Sequence, residues 1–542
     1  MKKNYFLGSL LLCGFSLLAQ PPVTFTSTGF PGGNYTSCAI DMNGDYLDDV
    51  VTVQPDQLTI HFQQPDGQLV PTIFSVPGIG LGSVTPNWSI AGGDFDGNGY
   101  NDLVFGNGNR VSVIKANDDG AGYTFHVYPQ NIFSQRTNFV DIDNDGNLDL
   151  FVCHDVAQSH VYRNNGDGEL LFDISMMPTL AVGGNYASVF VDYDNDGDMD
   201  MYMAKCRGGA PEGDSRRVNL LYTNNGNGTF TENAAEAGIN DGAQSWSSAW
   251  ADFDNDGDFD MILSNISDQN RLYRNNGDGT FTDVYAGSGI ASQVGSWEVM
   301  HADFDNDGYS DFLWQNNLNL YFNNGNMTFT GYDVAFAQGA VADLNNDGFL
   351  DVQTENGIYY NSGNPNKWLK VQLQGIESNR NGIGARVEIH GSWGIQVREV
   401  RSGQGFGHMS SLNVHFGIGS ANGIEKVVVK WPSGIIDVIE DPSSNQSLFV
   451  LEGSSPELSV AENQIGKFNL YPNPTNDYLN ISNDNSGTTI TKAMIYDLSG
   501  KMVLSSDVNQ QRIFVQELAA GTYIALLTDT AGKQHTQKFV KN

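Results

Sequence analysis

Seven segments of the chain repeat the pattern D-x-[DN]-x-[DN]-x-x-x-D, and oxygen-bearing side chains at that spacing could hold a hard divalent cation. The segments begin at Asp41, Asp94, Asp141, Asp192, Asp252, Asp303 and Asp343. Calcium takes about six to eight oxygens at about 2.3–2.6 Å, drawn from carboxylates, backbone carbonyls and water. In the fifth copy Asp252, Asp254, Asp256 and Asp260 stand at positions 1, 3, 5 and 9. Gly257 at position 6 permits a sharp turn, and the carbonyl of Asp258 at position 7 is the natural backbone ligand. The same positions hold Asp94, Asp96, Asn98 and Asp102; Asp141, Asp143, Asp145 and Asp149; and Asp192, Asp194, Asp196 and Asp200. They hold Asp303, Asp305, Asp307 and Asp311 in the sixth copy and Asp343, Asn345, Asp347 and Asp351 in the seventh. The first copy keeps Asp41, Asn43, Asp45 and Asp49, but Tyr46 replaces the turn glycine, which makes it the weakest candidate.

An EF-hand begins with a similar pattern, but it needs a glutamate at position 12 and a helix on each side. Position 12 here is Thr52, Phe105, Val152, Met203, Leu263, Trp314 and Thr354. The flanks, such as Leu148–Val152 and Met199–Met203, are short, apolar runs that predict buried strands. Each loop is therefore expected to join two strands. The plain alternative is a set of Asp/Gly turns without an ion. Against it, several carboxylates drawn into one turn repel one another unless a cation is present.

Between the acidic loops runs a second motif, seen as Leu272-Tyr-Arg-Asn-Asn-Gly-Asp-Gly-Thr-Phe281 and in three similar copies beginning at Val161, Leu221 and Leu320. It predicts a strand, a hairpin turn in which Asn-Gly supplies positive φ angles, and a further strand. Loop starts lie 53, 47, 51, 60, 51 and 40 residues apart, the length of one small four-stranded sheet per repeat. A closed, seven-bladed β-propeller over residues 20–362 follows. The seventh repeat lacks its last strand, and Val23-Thr-Phe-Thr-Ser27 resembles the missing piece; residues 23–27 are expected to supply it and close the ring.

The formal charge of −36, from 27 basic and 63 acidic residues, argues against nucleic acid or an anionic membrane as partner. Asp occupies 25 of the 28 loop positions named above, so much of the acidity belongs to the loops. Lys2 and Lys3, the apolar run Tyr5–Leu18 and Ala19 predict a signal peptide over residues 1–19. Its apolar run is too short to span a membrane, and no transmembrane segment is expected. Past the signal peptide remain Cys38, Cys153 and Cys206, which form neither a zinc pattern nor a disulfide framework.

The loop and hairpin motifs resemble the FG-GAP/VCBS repeat family, which includes the integrin α-chain propeller. That resemblance implies up to seven Ca²⁺ at the positions given above. Lys367-Trp-Leu-Lys-Val-Gln-Leu373, Asn381-Gly-Ile-Gly-Ala-Arg-Val387, Arg398–Gly407, Leu412–Phe416 and Val427-Val-Val-Lys-Trp-Pro-Ser-Gly434 resemble the ASPIC/UnbV domain that follows such propellers in proteins similar to cartilage acidic protein. Residues 366–453 read as a small β domain of that kind, with a linker at 454–465. Phe468-Asn-Leu-Tyr-Pro-Asn-Pro474, Ile495–Lys501, Leu518–Ile524 and Lys538–Lys541 resemble the type A sorting domain of the type IX secretion system. That resemblance implies an immunoglobulin-like β-sandwich over residues 466–542, the secretion machinery as partner and a secreted, extracellular or cell-surface location.

No catalytic pattern stands out: there is no H-E-x-x-H, G-x-S-x-G or G-x-x-x-x-G-K, and His154, His160 and His301 read as strand or rim positions. Six residues before each loop stand Tyr35, Trp88, Gln135, Tyr186, Trp246, Trp297 and Ala337. The aromatic ones either pack between adjacent blades, the favoured reading, or form a rim suited to sugars or a peptide. The chain reads as a secreted calcium-binding module for adhesion or recognition of a surface ligand, carbohydrate or protein. The alternative is a propeller enzyme, lyase or hydrolase, acting on polysaccharide.

Overall fold

The computed structural model describes residues 20–29, 37–80, 88–291, 296–315, 318–421, 423–455, 468–483, 489–497, 500–508, 511–530 and 534–542. The expected signal peptide, Tyr35 and most of the expected linker lie outside them.

From Ser37 to Asn361 the chain forms seven consecutive antiparallel sheets consistent with propeller blades, here numbered 1 to 7. Blade 5 is typical: Ser245–Ala251, Asp260–Asn265, Arg271–Asn275 and Phe281–Asp283 pair in chain order. The inner strands of the others are Ser37–Ile40, Ser89–Gly93, Ser134–Val140, Asn185–Val191, Val299–Ala302 and Ala340–Ala342. These are short and almost wholly buried, because both their faces meet protein, and most are small or apolar, although Ser134–Val140 carries Gln135, Arg136 and Asn138; outer strands such as Leu69–Ser75 are mostly exposed. The acidic loop always joins the inner strand to the second strand, as expected, and none is flanked by long helices.

Closure follows the expected route with a small shift. Phe25–Gly29 pairs antiparallel with Gly357–Asn361 as the outer strand of blade 7, so the strand begins two residues later than residues 23–27. Thr24 still takes part: its carbonyl accepts from the Ser362 amide at 2.8 Å.

The second motif does more than turn. In three of its four copies the first asparagine is buried and donates its amide to the blade before it, and Asn361 of the seventh repeat does the same: Asn164 to the Phe95 carbonyl, Asn275 to Tyr193, Asn323 to Phe253 and Asn361 to Phe304, at 2.6–2.9 Å, while Asn224 of the remaining copy donates to Met199 of its own blade. Each acceptor in a preceding blade is the second residue of that blade's acidic loop. Asn101 to Asp41 and Gln63 to Asp343 make similar bonds, the last one linking blade 1 to blade 7. The blades are thus stitched together beside the acidic loops.

Beyond the blades, Lys367–Gln374 sits between Val414–Gly419 and Gln446–Leu451, and a second sheet orders Gly394–Glu399, Arg386–Gly391, Lys426–Lys430 and Ile436–Glu440. Their apolar residues form one continuous core with Ala91, Phe95 and Phe139 of blades 2 and 3. The C-terminal residues form a three-stranded and a four-stranded sheet around a separate core that includes Leu479, Ile495, Ala525 and Phe539. Cys38, Cys153 and Cys206 are buried free thiols.

Replacing Asn323 by alanine removes the donor to two buried carbonyls, those of Phe253 and Ser310. It is expected to cost about 2–3 kcal/mol in chemical denaturation, while Asn324→Ala at the exposed neighbouring position changes stability by less than about 0.5 kcal/mol. Equal effects at the two positions would refute the stitching role.

Candidate metal centres

The loops are organised by their first and ninth residues. In blade 5, Asp252 accepts the Asp256 and Gly257 amides, each at 3.0 Å, so the backbone wraps around one carboxylate. Asp260, fully buried, accepts the Phe253 amide at 3.0 Å and the Asn275 amide at 2.8 Å. The position-9 aspartates of the other blades repeat this: Asp49, Asp102, Asp149, Asp200, Asp311 and Asp351 each bridge their own loop to the third strand of the blade. Position 4 turns through the left-handed region, with Asn255 at φ 57° and Asn144, Asn195, Asn306 and Asn346 at 56–63°. Asparagine tolerates that conformation better than most side chains.

Positions 1, 3 and 9 converge. Asp94, Asp96 and Asp102; Asp141, Asp143 and Asp149; Asp192, Asp194 and Asp200; Asp252, Asp254 and Asp260; and Asp303, Asp305 and Asp311 each bring three carboxylate oxygens within 4.8 Å of one another. Position 5 is turned differently. Asp145, Asp196, Asp256 and Asp307, like Asp45, Asn98 and Asp347, accept the amide two residues on, and they stand outside the triads. In blades 1 and 7 position 3 is an amide: Asn43 and Asn345 donate to Asp45 and Asp347 at 3.1 and 2.8 Å, with Asp41, Asp49, Asp343 and Asp351 completing the loops.

The donor set suits calcium. It is all oxygen, largely anionic, and partly unused: one carboxylate oxygen of Asp143 and one of Asp254 are buried without a hydrogen-bond partner. Burial, aided by the neighbouring carboxylates, pushes Asp149 up to about 8 and Asp49 to about 9; burial also raises Asp141 and Asp252 to about 7. A divalent cation would reverse that by stabilising the ionised form.

Tyr46 is the departure that the structure explains. It adopts φ 65°, and its amide still bonds Asp41 at 2.7 Å, as the glycine does elsewhere. Its ring packs on Phe449 and its hydroxyl donates to Gln374, so the side chain anchors the following domain on blade 1. Other loops are touched likewise: Lys370 pairs with Asp343 at 2.9 Å, Arg380 with Asp94 at 3.3 Å, and the Gly417 amide bonds Asp303 at 3.1 Å. Arg386 donates to the carbonyl of Gly257.

From this domain an arm spanning residues 400–413 runs between the inner strands. His408–Met409 adds to Ser37–Ile40 as a parallel strand. Ser402 donates to Gly92, Asn138 donates to Ser402 and Gly403, Arg401 donates to Trp250, and Ser411 bonds Val341. Phe406 packs against the cluster containing Ala187 and Val189 of blade 4, and its amide donates to Glu298, just before blade 6. The arm therefore meets all seven blades. Glu298 is also paired with buried Arg136 of blade 3 at 2.9 Å, a link across the axis that holds the tip of the arm.

Inner strands run from the aromatic positions to the acidic loops, so the two sets lie at opposite ends. Ring contacts join Tyr186 to Trp246, Trp246 to Trp297, Trp297 to Trp88, and Trp88 to Phe406, with centroids 4.4–6.4 Å apart. Packing between adjacent blades, the favoured expectation, describes Tyr186 with Trp246 and Trp246 with Trp297, whereas Trp88 of blade 2 touches Trp297 of blade 6. Trp297 is 46% exposed. Gln135 accepts from the Trp88 indole, and Ala337 lines a concavity of about 260 Å³ that reaches Phe406. His154 and His160 pack edge to face, with His160 pushed down to about 4 by burial; His301 faces the arm.

Comparison with known families matches residues 41–105, 141–203, 209–263 and 252–314 to the FG-GAP-like repeat and 86–125 to the FG-GAP repeat. Residues 375–457 match ASPIC and UnbV, and 469–542 match a secretion system C-terminal sorting domain. The chain is 29% identical to cartilage acidic protein 1 of Mus musculus over 276 residues, 44% of this chain and 42% of that protein. The human protein of that name is 29% identical over 272 residues, 43% of this chain and 40% of the relative. The chain thus spans less than half the length of the curated relatives it matches. Among solved structures, a lectin of Agrocybe aegerita that recognises non-reducing terminal N-acetylglucosamine aligns over 61% of this chain and 87% of its own, at 18% identity and a TM-score of 0.39.

The raised carboxyls set a pH dependence. Without cation they bind protons more tightly folded than unfolded, so their stability contribution is complete below about pH 4 and is lost as pH rises through 7–9. With excess EDTA the melting temperature is expected to fall between pH 5.5 and 8.5. Restoring Ca²⁺ should raise it by ~10 °C or more at pH 8.5 and by less at pH 5.5, with Mg²⁺ a poor substitute. A melting temperature indifferent to chelation at pH 8.5 would overturn the metal assignment.

Proposed function

We propose that this chain, which carries FG-GAP repeats, an ASPIC/UnbV domain and a type IX secretion sorting tail, is a recognition module held rigid by calcium. The sorting tail places it at the cell surface or outside the cell. In the finer reading, residues 20–362 are a closed seven-bladed propeller with up to seven Ca²⁺ sites, residues 366–453 cap the calcium end, and 454–465 are a linker. A signal peptide over 1–19 starts export, and the sandwich of 466–542 is removed once the outer membrane is crossed.

The observation that carries this reading is the aromatic row at the end opposite the calcium loops. Calcium makes each loop a fixed corner, the capping domain binds those corners, and its arm delivers Phe406 to the row. The half-exposed Trp297, next to Trp88 and Trp246, offers an apolar face beside polar groups, and Gln338, Glu355 and Asn356 line the neighbouring concavity. Rings flanked by hydrogen-bonding side chains suit the apolar faces and hydroxyl edges of sugars. The ligand in this reading is a surface carbohydrate, and adhesion is the outcome.

A glycan array probed with the Ca²⁺-loaded full chain is expected to return hits that weaken about tenfold or more in Trp297→Ala, at unchanged melting temperature. Hits that survive the substitution would move the site elsewhere. A silent array would overturn the carbohydrate reading in favour of a protein ligand.

A further inference from the structure

Beside the arm lies a cavity of about 130 Å³ whose polar lining includes Arg398, Arg401, His301 and His415 together with the carboxylates of Asp303 and Glu399. One water takes up roughly 30 Å³ of liquid, so the space holds a few waters or one small polyatomic ion. Its walls carry unspent donors. Arg398 is only 9% exposed; its Nη1 donates to the Val397 carbonyl at 2.9 Å and its plane lies over Phe416, but its Nη2 is buried without a partner. Among the described residues no carboxylate forms an ion pair with it. The nearby Asp303 and Asp252 spend both oxygens on loop and domain amides. Arg401, 6% exposed, bonds Glu399 and the Trp250 carbonyl through Nε and Nη1, and its Nη2 is also buried and unpartnered.

The same wall offers an acceptor. The Asn306 amide nitrogen donates to the Gly348 carbonyl at 2.9 Å, which leaves Asn306 Oδ1 to accept from His415 Nε2 at 2.6 Å. The His415 proton is therefore on Nε2, and its buried, unpartnered Nδ1 is a bare lone pair. Burial next to Lys370 and Arg398 pushes this imidazole down to about 3, so it stays neutral.

Two guanidinium edges need an oxygen acceptor with negative charge, and one imidazole nitrogen needs a donor. We propose that the cavity is a binding site for a small monovalent oxyanion that carries its own hydroxyl, of the hydrogen carbonate type, held by Arg398 and Arg401 and donating to His415 Nδ1. Such an ion offers acceptors to the guanidinium groups and a donor to Nδ1, whereas a halide offers no donor. Its place between the arm and blades 5 to 7 makes it a pin that locks the capping domain onto the propeller axis. The site stands on these side chains alone and is independent of what the aromatic row binds.

The test uses the Ca²⁺-loaded full chain, melted in rising sodium hydrogen carbonate against sodium bromide at matched ionic strength and pH. The expected result is a rise of about 2–4 °C with hydrogen carbonate, absent with bromide and absent in Arg398→Met. The response to EDTA should persist in that variant, which separates this site from the calcium loops. Crystals of the unaltered chain grown with hydrogen carbonate decide the matter even if the variant fails to fold: trigonal planar density for one carbon and three oxygens, bridging the two guanidinium groups, is expected. Separate water peaks in the cavity, or equal stabilisation by bromide, would overturn the proposal.

Discussion

Each blade buries a carboxylate at the start of its second strand, and the rest of the structure is arranged around that charge. A buried anion is tolerated only when its oxygens are occupied. The position-9 aspartates meet this demand with two backbone amides, one from their own loop and one from the third strand, as Asp260 does with Phe253 and Asn275. Burial raises the proton affinity of Asp141, Asp149 and Asp252, and the carboxylates drawn in beside them add to it, beyond what amides alone offset. A divalent cation would resolve the excess and make the loop a rigid corner on which other parts of the protein can be built.

Those corners serve three purposes at once. They turn the chain from the inner to the second strand. They present the carbonyl of their second residue to an asparagine of the following blade, which fixes the spacing between blades. They also form the surface on which the capping domain rests, through Lys370, Arg380, Arg386 and Tyr46. Loss of one corner is therefore felt locally, between blades and across the domain interface, so metal binding, ring integrity and domain docking are linked.

The repeat was legible because its information is local. Loop spacing pointed to the acidic positions, of which 1, 3 and 9 converge in five loops while position 5 stands outside the triads; alternation pointed to the strands, and an unmatched N-terminal segment gave the clasp to within two residues. What escaped detection depends on distant partners. The first asparagine of the second motif looks like half of a turn, yet Asn275 bonds a residue 82 positions earlier. Tyr46 looks like a damaged loop until Phe449 and Gln374 are placed against it. Position 4 did carry a signal, since Gly44, Gly97 and five asparagines occupy it, all at positive φ. Residues of the arm carried part of the ASPIC/UnbV resemblance, but its path between the inner strands was not legible, because its partners are scattered one or two to a blade.

The arm also bears on where this molecule meets its ligand. In a ring of seven sheets the axis is the natural place for a channel and for a concave site, since every inner strand faces it. Here Ser402, Phe406, His408 and Ser411 occupy that place and bond the inner strands themselves. A substrate approaching along the axis would have to displace a chain segment held by all seven blades and by the buried pair of Arg136 and Glu298. In the proposed recognition role the chemistry would lie outward, at the end where the arm stops and the tryptophans begin. The capping domain would then be part of that surface as well as its support, because its arm carries Phe406 to the aromatic row.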